Sequence, residues 1–168
     1  MIAGRLRWSG KPHSRWTKPK ATVARKDSKL LTILHVEDDD NDAILLGKAC
    51  ERAKLPAVIC RVAEVEQAKA YLLGMGEFID RQQFPLPQVV VLDLKLPGVN
   101  GFDFLNWLRG IPEFANLPVL VFTSSLSRQD HAEALALGAS SYFVKPASFE
   151  ALVQMVNFFQ FPDGPAAN

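Results

Sequence analysis

Between Leu30 and Val156 the chain alternates between short, nearly continuous apolar runs and longer stretches in which apolar residues recur at helical spacing. Leu31-Thr32-Ile33-Leu34-His35-Val36 reads as a buried strand, followed by an acidic loop, Glu37 to Asp42. Asp40 or Asn41 is placed to cap a helix carrying Ile44, Leu45, Ala49 and Ala53 on one side, which ends before Pro56. Val58 to Val62 is a second strand, and Val65, Ala68 and Leu72 set the buried face of a second helix over 64–73 that Gly74 and Gly76 terminate. A polar, proline-containing connection then leads to Val89-Val90-Val91-Leu92, which runs straight into Asp93 and turns at Pro97-Gly98. A helix over 101–109 presents Phe102, Leu105 and Leu108 inward and is broken at Ile111-Pro112. Val119 to Phe122 is a fourth strand ending in Thr123-Ser124-Ser125. The helix after it, over 128–137, stops at Gly138, which suits a left-handed terminus. Tyr142-Phe143-Val144 is a fifth strand running into Lys145-Pro146, and Ser148 caps a last helix with Phe149, Leu152, Val153 and Val156 at helical spacing.

Five strands alternating with five helices predict an α/β fold: one five-stranded parallel sheet, doubly wound, with helices on both faces and right-handed crossovers. Strands without polar alternation belong in a parallel sheet, buried on both sides. In such sheets ligands bind outside the carboxyl ends of the strands. Glu37-Asp38, Asp93, Thr123 and Lys145 all fall there.

Composition divides the chain. Its net charge is +1, yet residues 1–29 hold nine Lys or Arg against the single acid Asp27, and residues 30–168 hold ten basic against seventeen acidic residues. The expected organisation is a basic extension over 1–29, with Trp8 and Trp16 among the cations and no assigned role, a compact domain over 30–161 and a short tail over 162–168. Cys50 and Cys60 have no metal-type spacing and indicate neither a zinc site nor a disulfide framework. No apolar run approaches the ~20 residues of a membrane span, and no apolar signal core is present. A soluble, cytoplasmic protein is expected.

Three carboxylates, Glu37, Asp38 and Asp93, are expected to converge at the sheet edge. Two carboxylates ~5 Å apart at an effective dielectric near 20 repel by ~3 kcal/mol, so three require a counter-charge. Mg²⁺ meets that need: it favours oxygen, keeps several waters and uses one or two protein carboxylates with a phosphate oxygen. Lys145 adds a fixed positive charge and Thr123 a neutral donor. Asp93 as nucleophile would form an acyl phosphate, the other groups positioning and neutralising. His35 is expected to be a packed core residue and His131 to be exposed. Asp39, Asp40 and Asp42 are expected to cap or to be solvated.

An acidic pair after the first strand, Asp93 in a D-x-x-x-P-G setting, Thr123 after the fourth strand and Lys145-Pro146 after the fifth together resemble the receiver domain of two-component response regulators, over about residues 30–160. The resemblance implies a flavodoxin-like (βα)5 fold and phosphorylation of Asp93. It makes Asp38 the direct Mg²⁺ ligand, with Glu37 acting through water and the Lys95 backbone carbonyl completing the set. Thr123 and Lys145 would contact the phosphoryl group, and Tyr142 occupies the aromatic switch position. A sensor histidine kinase or a phosphotransfer protein would be the donor. The long segment before the third strand and the lack of a DNA-binding output domain resemble the small receivers that partner phytochrome-like kinases. No enzymatic activity beyond its own phosphorylation and dephosphorylation is expected.

Two other readings compete. A receiver that docks whatever the state of Asp93 is disfavoured by intact Asp38, Thr123 and Lys145. A haloacid-dehalogenase-type phosphohydrolase wants an acid two residues after the nucleophile, where this chain has Lys95. Met155, Phe158, Phe159 and Phe161 exceed what one face of the last helix can bury, and any exposed remainder would mark a homodimer or partner surface.

Overall fold

The computed structural model describes residues 30–160; the basic extension, Phe161 and the tail lie outside the described residues. Five strands, β1 (Leu31–Val36), β2 (Ala57–Val62), β3 (Val89–Leu92), β4 (Val119–Thr123) and β5 (Ser141–Val144), form one sheet in the order β2-β1-β3-β4-β5. Every pairing is parallel. Five α-helices connect and follow them: α1 (Asp40–Arg52), α2 (Val65–Leu73), α3 (Gly101–Arg109), α4 (Arg128–Ala136) and α5 (Phe149–Met155). The fold is the doubly wound, all-parallel α/β architecture that the alternation of elements predicts.

Side chains from the two faces of the sheet make two cores. One gathers Leu34, Val36, Val90, Leu92, Val119 and Val121 under α2, α3 and α4. The other gathers Ile33, Ile59, Val89, Val91, Leu120 and Phe122 under α1 and α5. All four residues of β3 are fully buried, and each such side chain contributes on the order of 1.5–3 kcal/mol of hydrophobic stabilisation. β3 is consequently a firmly held platform for Asp93.

Two helices bury faces that match the expected ones only in part: Ala49 of α1 and Leu105 and Leu108 of α3 are buried as their spacing predicts, and other positions differ. In α1 the buried residues are Ala43, Leu46, Ala49 and Cys50, while Ile44 and Leu45 are exposed and Ala53 is only partly covered. Small side chains at 43 and 49 sit on the inward face, and that face, not the bulkier pair, satisfies the 3.6-residue period. In α3 the buried face is Gly101, Phe104, Leu105 and Leu108, with Phe102 only partly covered. The α1 cap is also one residue earlier: Asp39 accepts from the amides of Asn41 at 2.7 Å and Asp42 at 3.1 Å. Those bonds hold the Asp39 carboxyl below its ordinary pKa and occupy it as a cap.

The connection between α2 and β3 is folded back on itself. It contains a 3-10 turn, Gly76–Phe78, and Phe78 and Phe84 pack around Tyr71 with centroid separations of 5.2 and 6.0 Å. Arg81 donates to the carbonyls of Tyr71 and Leu72, 2.7 Å each, closing the exposed end of α2. Gly74, at φ +67, takes the left-handed position there, as its sequence predicts.

Candidate functional site

The carboxyl ends of β1, β3, β4 and β5 deliver Glu37, Asp93, Thr123 and Lys145 to one edge of the sheet. Ladder bonds continue into the loops: the Glu37 amide donates to Val62 O, the Asp93 amide to Val36 O and the Lys145 amide to Thr123 O, at 2.8 to 3.0 Å. The reactive side chains are thus set by the sheet's own register. Glu37, Asp93 and Thr123 are buried.

Lys145 is the hub. Its ammonium donates to Asp93 Oδ2 at 2.7 Å, to Glu37 Oε2 at 2.8 Å and to Asp42 Oδ2 at 2.8 Å. Burial alone would make this lysine less basic, but the three carboxylates outweigh it and push its pKa up. Burial likewise pushes Asp93 up, yet Lys145, the Lys95 amide at 3.0 Å from Oδ1 and the Thr123 hydroxyl together hold it below its ordinary value. Asp93 is therefore an ionised, oriented carboxylate at neutral pH. For Glu37 burial wins, and its pKa is raised to about 7 despite Lys145.

Asp42 was expected to be solvated and is instead the third carboxylate on Lys145. Asp38, expected among the converging three, is exposed. Among the described residues no group of three or more acidic, histidine or cysteine side chains is already gathered to hold a metal. The Lys145 ammonium stands where the buried carboxylates need a cation. The donor set is nevertheless all oxygen, with Glu37 and Asp93 buried and Asp38, next in the chain to Glu37, exposed to solvent, which fits a hard, water-retaining divalent ion.

Arg61 is a site residue missing from the expectations. It projects from β2 opposite His35 in the β1 register. Its Nε donates to Glu37 O at 2.8 Å, its Nη2 to Asp38 O at 2.7 Å and its Nη1 pairs with Asp40. The only sequence signal was an arginine inside the apolar run Val58-Ile59-Cys60-Arg61-Val62.

His35 is completely buried and neither ring nitrogen has a hydrogen-bond partner in the structure. Burial first, then Lys145 and Arg61, drive its pKa down to about 3, so the ring is neutral. This is the packed core histidine expected from its strand. His131 is exposed, as expected, and lies against Tyr142 with ring centroids 4.8 Å apart. Tyr142 donates its hydroxyl to Ser125 O at 3.1 Å. Ser125 is tied to both sides of the site, its amide donating to Thr123 Oγ1 at 3.3 Å and its hydroxyl to Asp130 at 2.6 Å.

The response regulator receiver domain family matches residues 33–157. The chain belongs to that family. Among solved structures it is similar to a response regulator in red light signaling of R. palustris, at 30% identity and TM-score 0.75, covering 83% of this chain and 99% of that one. A phosphorylated cyanobacterial phytochrome response regulator, RcpA, is 27% identical with TM-score 0.71, over 79% of this chain and 92% of that one. Rcp1 of Synechocystis, solved in a Mn²⁺-bound form, is 25% identical with TM-score 0.69, over 82% of this chain and 97% of its own. Membership makes the domain a response regulator of two-component signalling, whose partners are histidine kinases or phosphotransfer proteins and whose family binds divalent metal. Among the described residues no helix is long and apolar enough to cross a membrane.

Proposed function

We propose that Asp93 is the phosphoacceptor of this receiver and that Lys145, Thr123 and Tyr142 convert its phosphorylation into a change of surface. The observation that carries the reading is the pairing of Lys145 with Asp93 at 2.7 Å, which keeps a buried carboxylate ionised and fixed. An Asp93 oxygen attacks phosphorus, the P–O bond forms as the P–N bond to the donor imidazole breaks, and the imidazole takes up a proton. Lys145 then follows the negative charge from the carboxylate onto the phosphoryl oxygens. Thr123 offers its hydroxyl to the same group from β4.

Asp38, Glu37, Asp93 and the Lys95 carbonyl are the residues that would hold Mg²⁺. Bound there, the ion would neutralise charge on the phosphoryl oxygens. Lys145 supplies a fixed positive charge to the same carboxylates, bonded to both Asp93 and Glu37.

The switch runs through Thr123 and Ser125. When Thr123 turns toward a phosphoryl group, the Ser125 amide loses its acceptor, and the Ser125 carbonyl that holds the Tyr142 hydroxyl moves with it. Tyr142 then rearranges against His131, altering the surface of β5 and α4. The partner we favour is a cytoplasmic sensor kinase of the phytochrome type. Support comes from the similarity to the red-light and phytochrome response regulators and from the folded connection before β3.

Intact-mass spectrometry after incubation with acetyl phosphate and Mg²⁺ tests the reading. The wild type gains one phosphoryl group and Asp93→Asn gains none. An unmodified wild type would sink the switch and favour phosphorylation-independent docking.

A further inference from the structure

We infer that Arg61 is a positioning residue for the metal-binding acidic pair, its guanidinium fixing the backbone on which Glu37 and Asp38 are mounted. The inference rests on the proposed metal role of that pair. One planar group grips two consecutive carbonyls, Glu37 O at 2.8 Å and Asp38 O at 2.7 Å, while its third arm pairs with Asp40 at the start of α1. The Glu37 amide is held from the same strand by Val62 O at 3.0 Å. With both peptide planes after Glu37 and Asp38 oriented, the two side chains leave the chain in fixed directions.

Lysine could not reproduce this. Its three N–H groups all radiate from one nitrogen at the end of a flexible stem, whereas the guanidinium fork presents N–H groups from three nitrogens in a rigid plane matched to adjacent acceptors. The Arg61 side chain is only 4% exposed, so its charge is worth burying only where its donors are satisfied. Nor is its charge what a cation site wants. A buried positive group beside a metal-binding loop repels the metal, and Arg61 also acts electrostatically as deep as His35, whose pKa it helps to lower. Electrostatics and geometry therefore predict opposite signs for its removal. If charge dominates, losing Arg61 tightens metal binding; if positioning dominates, losing it weakens binding.

The test is a Mn²⁺ titration of the wild type, Arg61→Ala and Arg61→Lys, with free ion read from its electron paramagnetic resonance signal. Loss of a residue that orients metal ligands commonly costs about 10- to 100-fold in affinity, and both variants are expected to weaken Mn²⁺ binding by about tenfold or more. Amide hydrogen exchange should rise at Glu37 and Asp39 while the β3 and β4 amides stay protected. Should Arg61→Ala fail to fold, Arg61→Lys carries the test, since it keeps the charge and removes the fork. Arg61→Lys binding Mn²⁺ as the wild type does, or tighter binding in either variant, overturns the inference. A wild type that takes up no Mn²⁺ overturns the metal site and this inference together; a wild type that binds with unaltered variants overturns this inference alone.

Discussion

Lys145 and Asp42, 103 positions apart in the chain, are joined by a 2.8 Å bond from the ammonium to Oδ2. It ties the loop after β5 to the first turn of α1, and it gives Lys145 a carboxylate partner that belongs to neither the acidic pair nor the phosphoacceptor. When Glu37 and Asp93 turn to a metal or a phosphoryl group, Asp42 remains to hold the ammonium in place. Because Asp42 is partly solvated, its pair with Lys145 should couple by only about 0.5–1 kcal/mol. A double-mutant cycle of Asp42→Asn and Lys145→Met by urea unfolding measures this directly; additive losses would remove Asp42 from the network.

Lys145→Met by itself should cost more. It leaves Asp93, Glu37 and Asp42 facing one another with no cation among them. Removing one partner of a fully buried pair costs ~3–5 kcal/mol, and with solvent reaching one side of this site about 2 kcal/mol is expected at pH 8. Addition of saturating Mg²⁺ should restore part of the loss by supplying a cation to the same carboxylates. Urea midpoints with and without the ion provide the check.

Glu37 makes the metal-free protein lose stability as pH rises. Its folded pKa of about 7 lies above the ordinary 4.5 of a glutamate. The unfolded chain therefore releases this proton first, and the stabilisation present below pH 4.5 is lost progressively up to pH 7, by on the order of 3 kcal/mol. Asp93 has the opposite sign: its folded pKa is lowered from 3.8, so its contribution is present above pH 3.8 and lost on acidification below it. Urea midpoints in chelator between pH 5 and 8 should fall for the wild type and stay nearly flat for Glu37→Gln. A parallel slope in the two proteins would show that Glu37 is not the group responsible.

Gly101→Ala should destabilise the protein even though alanine is by ~1 kcal/mol the better helix former. A Cβ at Gly101 would lie 2.8 Å from both Asp93 O and Leu94 Cα. The opposing atoms are backbone, so the loop carrying the phosphoacceptor must move, at a cost of about 1–3 kcal/mol. A rise in thermal midpoint would contradict this packing.

How much of this was legible in the chain depended on whether a residue's role is local. β3 was plain because four apolar residues and an acid in sequence already describe a buried strand with a carboxylate at its end. Gly138 was placed after α4, where it has φ +90, because a helix stop is a local event. The face of α1 was misjudged because Ile44 and Leu45 outweigh Ala43 in hydrophobicity, while the helical period carries the buried face through Ala43, Leu46, Ala49 and Cys50. The pairing of Asp42 with Lys145 and the grip of Arg61 escaped notice for a different reason. Their partners lie 103 and 24 positions away, and nothing adjacent to either residue marks the contact.

The sheet order β2-β1-β3-β4-β5 has one last consequence for this edge. From β1 the chain departs to the face covered by α1, and from β3 to the opposite face covered by α3. The two departing loops diverge, so the crevice between Glu37 and Asp93 exists by connectivity before any side chain is chosen. Substitutions at this edge can change what the crevice holds, whereas closing it would take a different threading of the strands.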